Sequence, residues 1–256
     1  PTANLFTESF PESALRDALA AEPPAGERRP LSLYVHVPFC ATICYYCACN
    51  KIITANRSHA VEYLERLFKE MAMISGLIPE AHDVQQLHFG GGTPTYLNDD
   101  QFREVFAALA RHFNLGEGHE RDFSIEIDPR TVDPARMGFL TSLGINRVSL
   151  GIQDFDPDVQ RAVNRIQSVE DTRAIIESAR ANGVRSVSVD LIYGLPLQTP
   201  QRFAKTLATI IDLAPDRISL YSYAHLPARF KTQRQINVLD LPAAETKLGL
   251  LEMAIE

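Results

Sequence analysis

Cys40-Ala-Thr-Ile-Cys44-Tyr-Tyr-Cys47-Ala-Cys49 is the stretch on which the reading of this chain turns. It gathers all four cysteines of a 256-residue sequence into one short run. Three chemistries compete for it. Disulfides fit poorly, because neighbouring cysteines rarely reach the Cβ geometry that a bridge needs. A chain with 45% hydrophobic residues needs no staple, and no export signal points to an oxidising compartment. Zinc would be satisfied by four thiolates, but structural zinc sites usually join two cysteine pairs from separate turns. An iron–sulfur cluster is small enough for one loop to wrap. Cys40-x3-Cys44-x2-Cys47 would then supply three ligands to four irons, leaving the last iron to a non-protein ligand or to Cys49.

Outward from this run the chain alternates strand and helix. Residues 31–37, Leu-Ser-Leu-Tyr-Val-His-Val, are rich in β-branched and aromatic side chains and read as a strand that Pro38 ends. Val61, Leu64, Leu67, Phe68 and Met71 recur at helical spacing. Further strands are expected at 84–89, 122–127, 146–152, 184–193 and 217–223. Helices are expected between them at 98–113, 133–143, 156–163, 169–182 and 200–213, with Asn98 or Asp99 capping the first of these and Gly183 ending 169–182. The strands read as apolar runs, as in a parallel sheet covered on both faces. Six such units predict an α/β fold, a partial (β/α)6 TIM-like barrel, in preference to a closed eight-unit barrel or a doubly wound sheet. Residues 1–30 read as a polar arm with one helix at 11–21 and a Pro-rich linker, and residues 31–256 as the barrel. The start at Pro1 and the apolar-periodic finish without a stop signal lead to the expectation of an excised piece.

Barrels of this kind place their sites at the C-terminal ends of the strands. The polar residues of this sequence collect there: the cysteines, then Gly90-Gly91-Gly92-Thr93-Pro94, Glu126, Gln153, Asp190 and Ala224-His225. The glycines are either a tight turn or a place where backbone approaches a ligand. Glu126 and Asp190 are either helix or loop caps or acceptors for ribose hydroxyls or an ammonium group. Arg165 would ordinarily be a surface cation, or else a bidentate partner for a carboxylate. Tyr34 reads equally as a core aromatic or a cofactor contact, and His36, His88 and His225 read as structural histidines. The net charge of −7 and the absence of a long apolar run argue against nucleic acid and membranes as partners. Clustered free cysteines favour the cytoplasm.

The spacing Cys40-x3-Cys44-x2-Cys47, with Tyr46 before the last cysteine, resembles the cluster motif of the radical S-adenosylmethionine superfamily. Tyr34-Val-His-Val-Pro-Phe-Cys40, Cys47-Ala-Cys49-Asn-Lys-Ile, 87–97, Ile125-Glu-Ile-Asp-Pro-Arg130, Gly151-Ile-Gln-Asp-Phe155, 159–165, 189–196 and 223–227 are similar to its oxygen-independent coproporphyrinogen III oxidase family, from Leu31 onward. Cys49 favours that family over the related haem chaperones, which bind and transfer haem. The resemblance implies a 4Fe–4S cluster on Cys40, Cys44 and Cys47, with Cys49 a nearby non-ligand whose role stays open. It implies two molecules of S-adenosylmethionine: one contacted by Tyr34, Gly91 and Glu126, a second by Tyr46, Gly92, Thr93, Gln153, Arg165, Asp190 and Ala224. The implied activity is oxidoreductase: one electron enters from a low-potential donor, the cofactor is cleaved to a radical, and two propionates of coproporphyrinogen III become vinyl groups. The expected form is a monomer. Ala48 departs from the glycine of the family pattern, which loosens the expectation for the pose of Cys49. The resemblance is to a family with longer ends and a C-terminal domain, so a chain of this length is expected to lack them, to keep the cofactor site and to lose turnover. The acidic net charge points the same way, because a substrate with four carboxylates needs basic groups.

Overall fold

The computed structural model describes residues 9–21, 30–79, 82–116 and 120–256. Six strands form one sheet: β1 (Leu31–Val37), β2 (Val84–Gly91), β3 (Asp122–Ile127), β4 (Arg147–Gln153), β5 (Ser186–Tyr193) and β6 (Arg217–Ser222). Every pairing is parallel and the spatial order is the sequence order, with β1 and β6 at the edges. That is the topology of a barrel that stops short of closing. The helices α1 (Glu12–Ala20), α2 (His59–Ser75), α3 (Asp99–His112), α4 (Pro134–Ser142), α5 (Pro157–Ala162), α6 (Val169–Ala181), α7 (Pro200–Leu213) and α8 (Ala244–Ile255) complete the described chain. Most of the proposed linker, residues 22–29, lies outside the described residues.

Local chemistry sets the helix starts. Asn98 accepts from Gln101 N at 2.8 Å while Gln101 Oε1 accepts from Asn98 N at 3.0 Å, so Asn98 and not Asp99 is the cap. Asp133, Asp156 and Thr199 cap α4, α5 and α7, each followed by a proline that needs no N–H partner in the first turn. The predicted strand at 184–193 begins later, at Ser186. Val184 N is still bonded to Ala179 O, closing the turn after α6 in which Gly183 takes φ +81°.

One expectation is overturned. The sheet is not buried on both faces; along β3 and β4, buried residues alternate with half-buried ones. Val35, Leu87, Phe89, Ile125, Val148, Leu150, Val187 and Val189 face the helices and form a single core with Phe102, Leu109, Met137, Ile175 and Ile210. The opposite face carries Tyr34, His88, Ser124, Glu126, Ser149 and Asp190. These are paired with one another: His88 Nδ1 with Ser124 Oγ at 2.6 Å, and Ser149 Oγ donating to Asp190 Oδ1 at 3.0 Å. A second layer of apolar side chains does not fill the inside of the arc. Short polar groups do, and they leave room for something else.

Candidate active site

Phe39 and Cys40 form a two-residue parallel ladder with Ile52 and Ile53, an element that sequence reading took for loop. Ile52 N donates to Pro38 O at 2.7 Å and Thr54 N to Cys40 O at 3.0 Å, which pins both ends of the cysteine run. The middle is strapped to distant elements. Tyr45 N donates to Val163 O at 3.0 Å, and Asn164 Nδ2 to Ile43 O at 2.7 Å. Gln233 Nε2 donates to Tyr46 O at 3.0 Å and Thr232 Oγ1 to Cys47 O at 3.2 Å. Tyr45 and Tyr46 pack on Val159, Val163, Ile192, Leu195, Tyr223 and Ile236. A loop rooted on edge strand β1 is therefore held over the ends of β4, β5 and β6.

Beneath it lies the glycine run. Gly91 takes φ +121°, and a Cβ there would sit 2.8 Å from Val37 O. At Gly92 a Cβ would meet Pro38 O and Phe39 O at 2.8 Å. Bare backbone lets Gly92 N donate to Val37 O at 2.9 Å and Thr93 N to Phe39 O at 2.8 Å. Thr93 Oγ1 then reaches Cys40 Sγ at 3.4 Å. The glycines are thus a seat for the cysteine loop as well as a wall of the site. Gly91 N also donates to Glu126 Oε2 at 3.2 Å, and Glu126 Oε1 lies 3.3 Å from His88 Nε2. Tyr34 is 58% exposed, which removes its reading as a core residue. Its hydroxyl pairs with His36 Nδ1 at 3.1 Å, and its ring stacks on His88. His225 pairs with the Tyr223 hydroxyl.

Arg165 is buried, not a surface cation, with 7% side-chain exposure. Its Nε and Nη2 donate to Gly151 O. Its Nη1 reaches Asp128 Oδ2 at 3.1 Å and Cys44 Sγ at 3.5 Å. Arg130 joins from the other side: its Nη2 donates to Asp128 Oδ2 at 2.6 Å and approaches Cys44 Sγ at 3.7 Å. Burial alone would raise Asp128, but the two guanidiniums outweigh it and hold the carboxyl below its ordinary range. Burial likewise works against the charge of Arg165, yet Tyr46, Asp128 and Cys44 keep it firmly protonated. Cys47 is lowered to about 6 by the hydrogen bond of the Cys49 thiol, helped by Cys49 N and Lys51, against the pull of burial. Burial pushes Cys40 up.

At the end of β4 a register shift puts Gln153 at φ +70°. The next residue, Asp154, is buried and anchors that bulge. It accepts from Thr206 Oγ1 at 2.6 Å, Asp156 N at 2.7 Å and Gln198 Nε2 at 2.6 Å. Gln198 in turn accepts from Gly194 N and Leu195 N at 2.7 and 2.9 Å and donates to Ile192 O at 2.8 Å. Asp190, one strand on, is pushed up by burial, an effect that the Ser149 hydroxyl opposes and Glu126 reinforces.

All these strand ends open on one cavity of about 910 Å³. Of the residues expected at the site, Cys40, Cys44, Cys47, Tyr46, Gly91, Gly92, Thr93, Glu126, Gln153, Arg165, Asp190 and Ala224 line it. Tyr34 does not; its phenol lies within 2.9 Å of where a Cβ on Gly90 would stand, with Glu126 Oε1 at 3.1 Å from the same point. Sequence reading gave no role to Asp128, Arg130, Lys51 or Gln233. Asp128 and Arg130 had a signal, since they follow directly on β3, which ends at Ile127. The cavity wall carries five cationic side chains, Lys51, Arg57, Arg130, Arg136 and Arg165, against three carboxylates, Glu126, Asp128 and Asp190. The overall net charge of −7 therefore misleads about the site.

The donor set fits a multi-iron cluster. Four thiols border one cavity, those of Cys40, Cys44, Cys47 and Cys49, and among the described residues no three His, Cys, Asp or Glu side chains converge on a single ion. N–H and O–H donors and cations point at the sulfurs, as anionic thiolate ligands require.

A sequence profile described as the Radical SAM superfamily matches residues 34–210. The chain belongs to the radical SAM superfamily. Its cofactors are a 4Fe–4S cluster and S-adenosylmethionine. This radical SAM chain is 52% identical over 256 residues to the oxygen-independent coproporphyrinogen III oxidase of Pseudomonas aeruginosa, covering all of itself and 55% of that protein. It is 46% identical over 255 residues to the enzyme of the same name from Escherichia coli, covering 54% of it. The solved structure of the Escherichia coli coproporphyrinogen III oxidase superposes with a TM-score of 0.94 at 45% identity, over 100% of this chain and 57% of that one. The radical SAM chain thus spans about half the length of the curated relatives it matches. No helix among the described residues is long and apolar enough to cross a membrane.

Proposed function

We propose that this chain is the cofactor-binding core of an oxygen-independent coproporphyrinogen III oxidase, which converts two propionate side chains of coproporphyrinogen III to vinyl groups and gives protoporphyrinogen IX. The observation that carries the reading is the single cavity in which the four clustered thiols meet an excess of cations. The identity to proteins bearing the oxidase name, over the whole length of this chain, supports it over haem transfer.

Cys40, Cys44 and Cys47 would hold the cluster, and Cys49 would remain a neighbouring thiol. Bound there, the cluster and S-adenosylmethionine supply one-electron reductive cleavage and a hydrogen-abstracting radical. The chain's own residues do the rest. Glu126, fixed by Gly91 N and His88, presents a carboxylate to hydroxyl or ammonium groups, with Tyr34 nearby. Tyr46, Gly92, Thr93, Gln153, Arg165, Asp190 and Ala224 would surround a second S-adenosylmethionine. Asp190 is tuned to hold its proton longer than an ordinary carboxyl. Lys51, Arg57 and Arg130 supply charge for substrate carboxylates. The partners of this reading are a low-potential electron donor and the tetrapyrrole; the proposed setting is a monomer in the cytoplasm.

Anaerobic reconstitution tests the reading. The chain should take up iron and sulfide in equal amounts and cleave S-adenosylmethionine when reduced. A fully loaded chain that cannot cleave it would overturn the proposal. Stoichiometric haem binding without release of carbon dioxide would favour the haem chaperone.

A further inference from the structure

Asp128 sits between two guanidiniums that both aim at one sulfur. Its Oδ1 accepts from Arg130 N at 3.1 Å and Arg130 Nε at 2.9 Å. Its Oδ2 is shared, taking Arg130 Nη2 at 2.6 Å and Arg165 Nη1 at 3.1 Å. The carboxylate is nearly buried, with 10% side-chain exposure, whereas Arg130 keeps 23%. Arg165 has a second anchor, Gly151 O. Among the described residues Arg130 is held by Asp128 and approaches Cys44 Sγ at 3.7 Å.

Two like charges bonded to one carboxylate oxygen repel, and in a partly buried pocket the repulsion is screened weakly. A single carboxylate oxygen that bonds both cancels it and fixes where the N–H groups point. We infer that Asp128 is a positioning residue that clamps Arg130 and Arg165 against Cys44, so that this one cysteine carries a pair of guanidinium donors. Cys40 faces the Thr93 hydroxyl, and Cys47 faces its neighbour Cys49 N with the Lys51 ammonium nearby. Donors and cations at a ligand sulfur stabilise the more negative, reduced state of a cluster and raise its reduction potential. The clamp thus makes the first electron easier to accept. It also makes the three ligand sulfurs unequal.

The inference rests on Cys44 being a cluster ligand, and its test separates the two ideas. Wild-type protein, Asp128→Asn and Arg130→Gln are reconstituted anaerobically. Iron and sulfide are measured, and the reduced-cluster signal is titrated against potential without S-adenosylmethionine, so that any contact of Arg165 with that cofactor does not enter. Asp128→Asn keeps the Oδ1 acceptor and puts an N–H group where the shared oxygen was. Both variants should fall in midpoint potential, with the reduced-to-oxidised ratio at a fixed poise dropping about tenfold, equivalent to 59 mV for one electron. The sign for Asp128→Asn is diagnostic. Removing a negative charge would by itself raise the potential, so only the release of the guanidiniums lowers it. A rise or no change in Asp128→Asn, or an unmoved Arg130→Gln, overturns the inference while leaving the cluster assignment intact. Wild-type protein that takes up no iron overturns both.

Discussion

Gln198→Leu should weaken the whole molecule out of proportion to a change of similar volume. Gln198 is 3% exposed and satisfies four groups at once: two N–H groups of the loop after β5, Ile192 O and Asp154 Oδ2. Leucine leaves all four without a mate. Each buried group so orphaned costs about 1–3 kcal/mol, and the apolar side chain returns about 1–2 kcal/mol of burial. With partial access of water to the loop, the net loss is about 4 kcal/mol, a large share of the roughly 5–15 kcal/mol that holds a domain together. For a chain of this size that lowers the melting temperature by roughly 8–16 °C. The loss should also depend on pH. Burial already raises Asp154 against the pull of Thr206, Asp156 N and Gln198. A carboxyl raised on folding stabilises most below the ordinary carboxylate range and loses that contribution as pH rises through its folded value. Removing one donor raises it further, so the deficit of Gln198→Leu should grow from pH 5 to pH 8. Thermal unfolding followed by circular dichroism at both values measures it. A fall of under about 3 °C, or a deficit that is equal at the two pH values, would refute the account of this hub.

Cys40→Ala, Cys44→Ala and Cys47→Ala should each abolish stable iron uptake on reconstitution, whereas Cys49→Ala should keep it; iron analysis of the four variants decides the ligand set. Gly91→Ala forces a Cβ against Val37 O at 2.8 Å in left-handed backbone, which should cost about 2–4 kcal/mol in denaturant unfolding and weaken S-adenosylmethionine binding by displacing the Gly91 N–H from Glu126. Affinity for S-adenosylmethionine should rise as pH increases through the elevated pKa of Asp190, since only the anion accepts without giving up a proton. Asp190→Asn should weaken binding and flatten that profile in calorimetry from pH 5.5 to 8; a profile unchanged by the substitution would remove Asp190 from the site.

Much of this arrangement could be read from residues alone, for identifiable reasons. Strand β1 ends where Pro38 removes a donor, and α7 begins where Thr199-Pro200 gives a cap and a preset φ; these signals are local, and their positions match the structure. The strand-end polar residues could be found because a parallel arc brings every strand's C-terminal end to one rim. What escaped is what depends on register and on the far wall. Asp128 and Arg165 are 37 positions apart, and nothing in either neighbourhood says that their side chains meet. The polar inner face was hidden by the short period of the strands: Ser124, Glu126 and Ser149 alternate with Phe123, Ile125 and Val148, and the apolar members dominate the impression. Gln198 and Gln233 carry no compositional mark at all. Their importance comes from being amides, able to give and accept at once, in places where backbone groups from several elements lack partners.

The sheet is assembled in the order in which it is written, each strand lying beside the one made just before it. During synthesis the arc can therefore grow from β1 outward by accretion, without waiting for distant pairings. The thiols, however, belong to its first turn, while Thr232 and Gln233, which tie Cys47 and Tyr46 down, are made nearly two hundred residues later. The cysteine run thus emerges early and is tied down late. The time between those two events is when the cysteines are most open to assembly factors, and also most open to air.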